Sequence, residues 1–281
     1  ILVYLYGVIS YKYELIPYYQ VNFFLKSTVD TILYRYVGYD QTVGKIQINC
    51  NQLNENTLSI LVLGQSNAAN SGSQRLGNVK DVFNYNILDG KCYAASDPLL
   101  GTTGVGGTIW IRLGHNIVTK QLVEKVLIIP IAVSGSSIME WGLESLQLYP
   151  RVGMAIEGLR NEGIHINYVF WQQGESDKNM LKEQYYTKLN DLVRRIQFDI
   201  PKVKIFIADS SYCNGSHSEA IRKANRMAIK NNQNVLAGPD IDQYYSKKYR
   251  FDDCHLSTQG LEVTTKSWLT AIEPYMIKIN E

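Results

Sequence analysis

Five short apolar runs constrain this chain more than anything else in it: residues 58–63 (LSILVL), 126–133, 168–172, 203–208 and 235–237. Each is continuous rather than alternating, the pattern of strands covered on both faces in a parallel sheet. Between them lie stretches with helical periodicity, at 109–125, 153–162, 182–198 and 218–231. A last one runs from about 257 to 277, with Ser257 or Thr258 as its N-cap. This alternation predicts a doubly wound α/β domain, and 281 residues suffice to bury its core. In such sheets, sites lie beyond the carboxyl ends of the strands.

Residues 1–56 stand apart from this rhythm. Residues 1–10 (ILVYLYGVIS) are uncharged and apolar, yet shorter than the roughly twenty residues that span a bilayer. They read either as the tail of a truncated membrane anchor or signal sequence, giving membrane attachment through a missing N-terminal segment, or as the start of a buried helix. In residues 11–36, Leu15, Tyr18, Tyr19, Val21, Phe24, Leu25, Ile32 and Tyr36 approximate a helical stripe, started or kinked by Pro17. The expected organisation is a tyrosine-rich helical arm over 1–56 and a catalytic domain over 57–281. Residues 70–108 are rich in Gly, Ser and Asn, show no firm element and read as a flexible wall of the site. Their GTTGVGG segment (101–107) lacks the ending of a phosphate-binding loop.

A net charge of +2 with scattered signs argues against a nucleic-acid partner. No CxxC pair or Cys/His zinc spacing occurs, so neither metal nor cofactor is expected.

The run ends carry the chemistry. The first leads into Gly64-Gln65-Ser66-Asn67 and the second into Ser134-Gly135-Ser136-Ser137, with Trp141 following. The third leads into Gln172-Gln173-Gly174-Glu175-Ser176-Asp177, and near the C-terminus comes Asp252-Asp253-Cys254-His255. A serine hydroxyl is a poor nucleophile until a base takes its proton. Of the histidines, His115 falls in a helical pattern, His165 precedes a strand at the opposite edge, and His217 follows a strand as a candidate binding residue. His255 has Asp252 three positions earlier. That spacing lets a carboxylate fold back on Nδ1–H and leave Nε2 for Ser66, with Asp253 as the competing acid. The oxyanion of acyl transfer needs preorganised donors. The Ser66 and Gly135 backbone N–H groups and the Gln173 carboxamide are the candidates. Cys50 and Cys92 flank the first run, and Cys213 and Cys254 lie in loops near the site. Those two pairs are the disulfides expected in an oxidising compartment; in the cytosol all four would be free thiols.

Together these blocks resemble those of SGNH hydrolases, most of all the branch that contains sialate O-acetylesterases and acetylxylan esterases. The resemblance runs from residue 58 to the C-terminus. It implies a three-layer α/β/α, flavodoxin-like sandwich with a central parallel sheet, and metal-free removal of O-acetyl groups from carbohydrates. It implies Ser66 as nucleophile, His255 as base, Asp252 as its partner and Gly135 as an oxyanion donor. Many members take a third donor from an Asn in a Gly-x-Asn-Asp block, which this chain lacks; Gln173 stands in its place. Gln65, Asn67 and Glu175 are expected to brace the loops, and Trp141 to bind substrate on the sugar side. The expected partner is an acetylated carbohydrate, and the expected location is extracytoplasmic. The same triad would serve a carbohydrate O-acetyltransferase, with a sugar hydroxyl replacing water. A catalytically silent carbohydrate-binding domain is the third reading, and the complete residue set speaks against it.

Overall fold

The computed structural model describes residues 38–53, 56–142 and 147–276. The helical stripe expected in residues 11–36 lies outside the described residues. From Gly38 onward the chain forms one compact unit, so residues 38–53 are built into the same body as the sheet.

That sheet has eight strands: β1 (Gln47–Ile48), β2 (Thr57–Gly64), β3 (Val82–Asn86), β4 (Lys91–Ala94), β5 (Lys125–Pro130), β6 (Tyr168–Gly174), β7 (Lys204–Ser210) and β8 (Val235–Asp240). Their order is β1-β4-β3-β5-β2-β6-β7-β8. From β3 to β8 neighbours run parallel, whereas β4 is antiparallel to β3 and β1 to β4. The helices are α1 (Trp110–Thr119), α2 (Ile138–Trp141), α3 (Pro150–Asn161), α4 (Lys182–Asp199), α5 (Glu219–Asn231) and α6 (Thr258–Ile272). Ser257 caps α6 by accepting from the Gly260 N–H.

Both faces of β2 are buried, which is why its run is continuous. Leu58, Ile60 and Val62 join Trp110 and Ile117 of α1 and Trp268 and Leu269 of α6 in one apolar cluster. Leu61 and Leu63, also fully buried, point the other way by the strand's period of two. On β6, likewise, Phe170 belongs to that cluster, whereas Trp171 donates from Nε1 to Tyr185 of α4. The result is the expected three-layer α/β/α sandwich, but its sheet is mixed and not wholly parallel, because β4 and β1 continue the β3 edge antiparallel.

The structure corrects the reading of residues 70–108. This stretch contains β3 and β4, and its remainder is densely bonded. Asn70 accepts from the Leu99 N–H at 2.7 Å and donates to the Leu99 carbonyl at 2.9 Å, and Asn84 treats Leu100 in the same way. Polar residues at alternate positions made β3 look like a loop, because its Asn84 and Asn86 are buried and bonded instead of solvated. The glycines of 101–107 serve close chain crossings: a Cβ on Gly107 would meet the Gln74 carbonyl oxygen at 1.8 Å.

Candidate active site

The parallel register aligns the ends of three strands. Gly64 of β2 pairs with Gln172 of β6, and Gly174 of β6 with Ser210 of β7. Beyond Pro130, the chain keeps bonding to β2 through Ile131 N–H to Val62 O and Val133 N–H to Gly64 O. Ser66, Gly135, Glu175 and Tyr212 therefore all emerge at one edge. Gly64 is needed at the turn into Ser66: its φ is +130°, and a Cβ there would sit 2.0 Å from the Gln172 carbonyl oxygen. Ser66 then opens a single 3-10 turn, Ser66–Ala68, and is only 7% exposed.

His255 is held from two sides by one carboxylate. Its Nδ1 lies 2.7 Å from Asp252 Oδ2, and its backbone N–H donates to Asp252 Oδ1 at 2.6 Å. Burial opposes the charged form of Asp252, but the bonds from the His255 ring and backbone outweigh it and hold the carboxyl below the usual carboxylate range. Asp253 is turned away, accepting from the Tyr212 hydroxyl at 2.8 Å. His115, His165 and His217 are exposed; His115 lies on α1, His165 ahead of β6, and His217 in the turn after β7 that the Cys213–Cys254 disulfide ties to the Asp252–His255 loop.

Asn67 ties the two loops together. Its Nδ2 donates to Glu175 Oε1 at 2.7 Å and to the Cys254 carbonyl at 3.2 Å. The residue after the expected nucleophile thus grips the residue before the expected base. Gln172 donates to the Asn67 carbonyl, and Trp110 donates to the Ala68 carbonyl from below. Glu175 also accepts from Ser210 Oγ at 2.9 Å, and its Oε2 is buried with no hydrogen-bond partner. Burial pushes the Glu175 carboxyl up to about 7, against the pull of Asn67, the Arg250 charge and Ser210. Arg250, 1% exposed, donates to the carbonyls of Tyr244, Ile241 and Cys254. Nothing in its sequence context marks it as other than a solvated cation.

The loop that carries Gly135 is gripped from beneath. Gln173 Nε2 donates to the Ser136 carbonyl at 2.6 Å, to Asp177 Oδ2 at 2.7 Å and to Gln65 Oε1 at 3.0 Å. Gln65 Oε1 accepts from the Ser176 N–H as well. Asp177, raised by burial, accepts from Ser137 Oγ and the Ile138 N–H. Its place three residues beyond Gly174 was visible in sequence; its bonding role was not. Gly135 has φ +71° and open space where a Cβ would stand. Two expectations change here. The amide protons of Gln173, offered as the third oxyanion donor, are directed at three protein acceptors. Trp141, offered as a sugar contact, is 0% exposed. Its ring packs edge-on against Trp171 at 5.9 Å and its Nε1 donates to Ser136 Oγ at 3.0 Å, so it supports the loop and presents no face to a ligand.

Both expected disulfides are formed, Cys50–Cys92 and Cys213–Cys254.

The family model for carbohydrate esterase, sialic acid-specific acetylesterase, matches residues 56–272. Among solved structures, a protein from Arabidopsis thaliana superposes with a TM-score of 0.65 at 21% identity, covering 78% of this chain and 99% of that one. A carbohydrate acetylesterase from Xanthomonas citri superposes with a TM-score of 0.55 at 14% identity, over 77% of this chain and 56% of that one. Likeness at these identities speaks for the fold. No curated protein matches the chain in sequence. The family match spans β2 to β8 and the loops at their carboxyl edge, and the chain belongs to the sialic acid-specific acetylesterase family of carbohydrate esterases, within the SGNH hydrolases.

Proposed function

We propose that the protein is a serine esterase that removes O-acetyl groups from a carbohydrate through an acetyl-serine intermediate. His255 Nε2 takes the Ser66 hydroxyl proton as Oγ attacks the acetyl carbonyl carbon. The resulting oxyanion is received by the Ser66 and Gly135 N–H groups, aimed at developing charge before it forms. His255 then returns the proton to the departing sugar oxygen, leaving acetyl-Ser66. Water attacks that ester, again giving its proton to His255, and acetate leaves. Asp252, ionised at neutral pH, fixes the imidazole tautomer and faces the imidazolium formed in each half. Gln173, Asp177 and Trp141 act one layer below, fixing the Gly135 loop. The sugar approaches over Gly135, where the space is open. Two disulfides fit an oxidising, extracytoplasmic setting.

The observation that carries this reading is the 2.7 Å Asp252–His255 pair on a loop that Asn67, next to Ser66, holds by its Cys254 carbonyl. The test is Ser66→Ala. Acetate release from p-nitrophenyl acetate and from O-acetylated sialic acid should fall by at least about 10³-fold with the melting temperature unchanged. Retained turnover in that variant removes Ser66 as nucleophile.

A further inference from the structure

Cys50–Cys92 and Cys213–Cys254 have unlike surroundings. Cys50–Cys92 fastens the segment ahead of β2 to β4 at the sheet's edge, with both residues buried at 6% and 0% exposed. Cys213–Cys254 joins the turn after β7 to the Asp252–His255 loop, and Cys213 is partly exposed. Cys254 is a node of that loop. Its N–H donates to Asp252 Oδ1 at 3.1 Å, and its carbonyl accepts from both Asn67 and Arg250. Across the bridge, the Asn214 N–H donates to the Asp253 carbonyl at 3.0 Å, and Lys178 Nζ to the Cys213 carbonyl at 2.9 Å. Asp253 has φ +64°, a region that non-glycine residues visit at a cost and keep only when the surroundings hold them there.

We propose that the Cys213–Cys254 disulfide is a positioning element for His255, and that its reduction is a reversible off-switch for the site; this rests on the triad proposed above. A thiolate of a dithiol reductant attacks the sulfur of the partly exposed Cys213 residue, and Cys254 leaves as thiolate. The reductant's second thiol then displaces Cys213. Two electrons and two protons pass to the protein's sulfurs, and the reductant departs as a cyclic disulfide. With the covalent tie gone, the strained turn at Asp253 is held by hydrogen bonds alone, and the His255 imidazole loses its fixed position.

The test incubates folded enzyme in rising dithiothreitol and follows p-nitrophenyl acetate turnover. Free thiols in quenched aliquots are alkylated and located by peptide mass spectrometry. Turnover should fall on the order of tenfold or more as Cys213 and Cys254 become alkylatable, while Cys50–Cys92 is still closed. KM and the near-ultraviolet circular dichroism should hold, and reoxidation should restore kcat. In a His255→Ala enzyme the residual rate should not respond to reductant, because the two perturbations act through one group. A Cys213→Ser/Cys254→Ser enzyme should show the low kcat and no response. Unchanged kcat with both cysteines fully alkylated overturns the proposal. So does an equal fold-loss in the His255→Ala enzyme, or loss of the dichroism in step with turnover. Oxidised wild type without any turnover sinks the esterase reading itself, and this inference with it.

Discussion

On the α1/α6 face of the sheet, Trp110, Phe170, Phe206 and Trp268 pack ring against ring, with Phe170 stacked 4.5 Å from Trp268. At the carboxyl edge above them, Gln65, Asn67, Gln172, Gln173 and Glu175 are as deeply buried, but they meet through hydrogen bonds. The first region gains free energy from apolar area and tolerates small shifts, since that attraction is not directional. The second gains little net stability per bond, yet each bond fixes a distance and an angle. The difference predicts that the rings set how stable the fold is, and the amides set how fast the site turns over. The division is not complete. Trp268 Nε1 donates to Gln172 Oε1 at 2.9 Å, and Gln172 passes the restraint on to the Asn67 carbonyl.

The largest effect belongs to the site. Asp252→Asn should lower kcat by about 10³- to 10⁴-fold, because an amide neither fixes the tautomer nor faces the imidazolium. The melting temperature should scarcely move, since the Asp252 side chain is 41% exposed. Asp253→Asn is the control and should stay within a few-fold of wild type. A large loss there, and not in Asp252→Asn, would exchange their roles.

The opposite arm of the comparison is Phe206→Ala. Phe206 is 0% exposed and contacts the rings of Tyr168, Phe170 and Tyr275. Its loss should cost about 3–5 kcal/mol of stability, read by urea unfolding, with kcat at low temperature nearly intact. A kcat collapse in the folded variant would break the division.

How far sequence alone reached follows the same division. Apolar runs announce themselves, so the parallel strands from β5 to β8 and the turn into Ser66 after Gly64 were legible, and the cysteine positions gave the two disulfide pairs. Buried polar residues were not, because Asn84 and Asn86 in β3 and Arg250 in the loop before α6 look in sequence like surface groups. The motif around Gly174 told where Gln173 and Asp177 lie, but not which way an amide or an indole points. Facing depends on partners distant in sequence, such as the Ser136 carbonyl for Gln173. That is why Trp141 and Gln173 were placed in the right loop region and on the wrong side of it.

Glu175 sharpens the comparison through pH. Its carboxyl is raised to about 7 in the fold by burial, against about 4.3 in an unfolded chain. Between those values the folded state binds the extra proton, so stability falls as pH rises through that window and is level above it. The contribution is on the order of 3 kcal/mol. Glu175→Gln should flatten that part of the stability–pH curve, measured as urea midpoints at pH 5 and pH 8. Identical slopes in variant and wild type would mean that Glu175 stays charged throughout.

The smallest effect is the most discriminating. Asn67→Ala removes the bonds to Glu175 Oε1 and to the Cys254 carbonyl and leaves both loops otherwise intact. Stability should drop by about 1–3 kcal/mol, the cost of stranding buried acceptors. Turnover of p-nitrophenyl acetate should fall about ten- to a hundredfold, since the Ser66 and His255 loops lose the side chain that spans them. Arg250 still holds the Cys254 carbonyl, so the loss should stay well short of that in Asp252→Asn. The two readouts separate the causes. A kcat loss that exceeds the stability loss marks Asn67 as the spacer between nucleophile and base. A stability loss with unchanged kcat makes it one more buried amide, and leaves the Cys213–Cys254 bridge as the element that sets the position of His255.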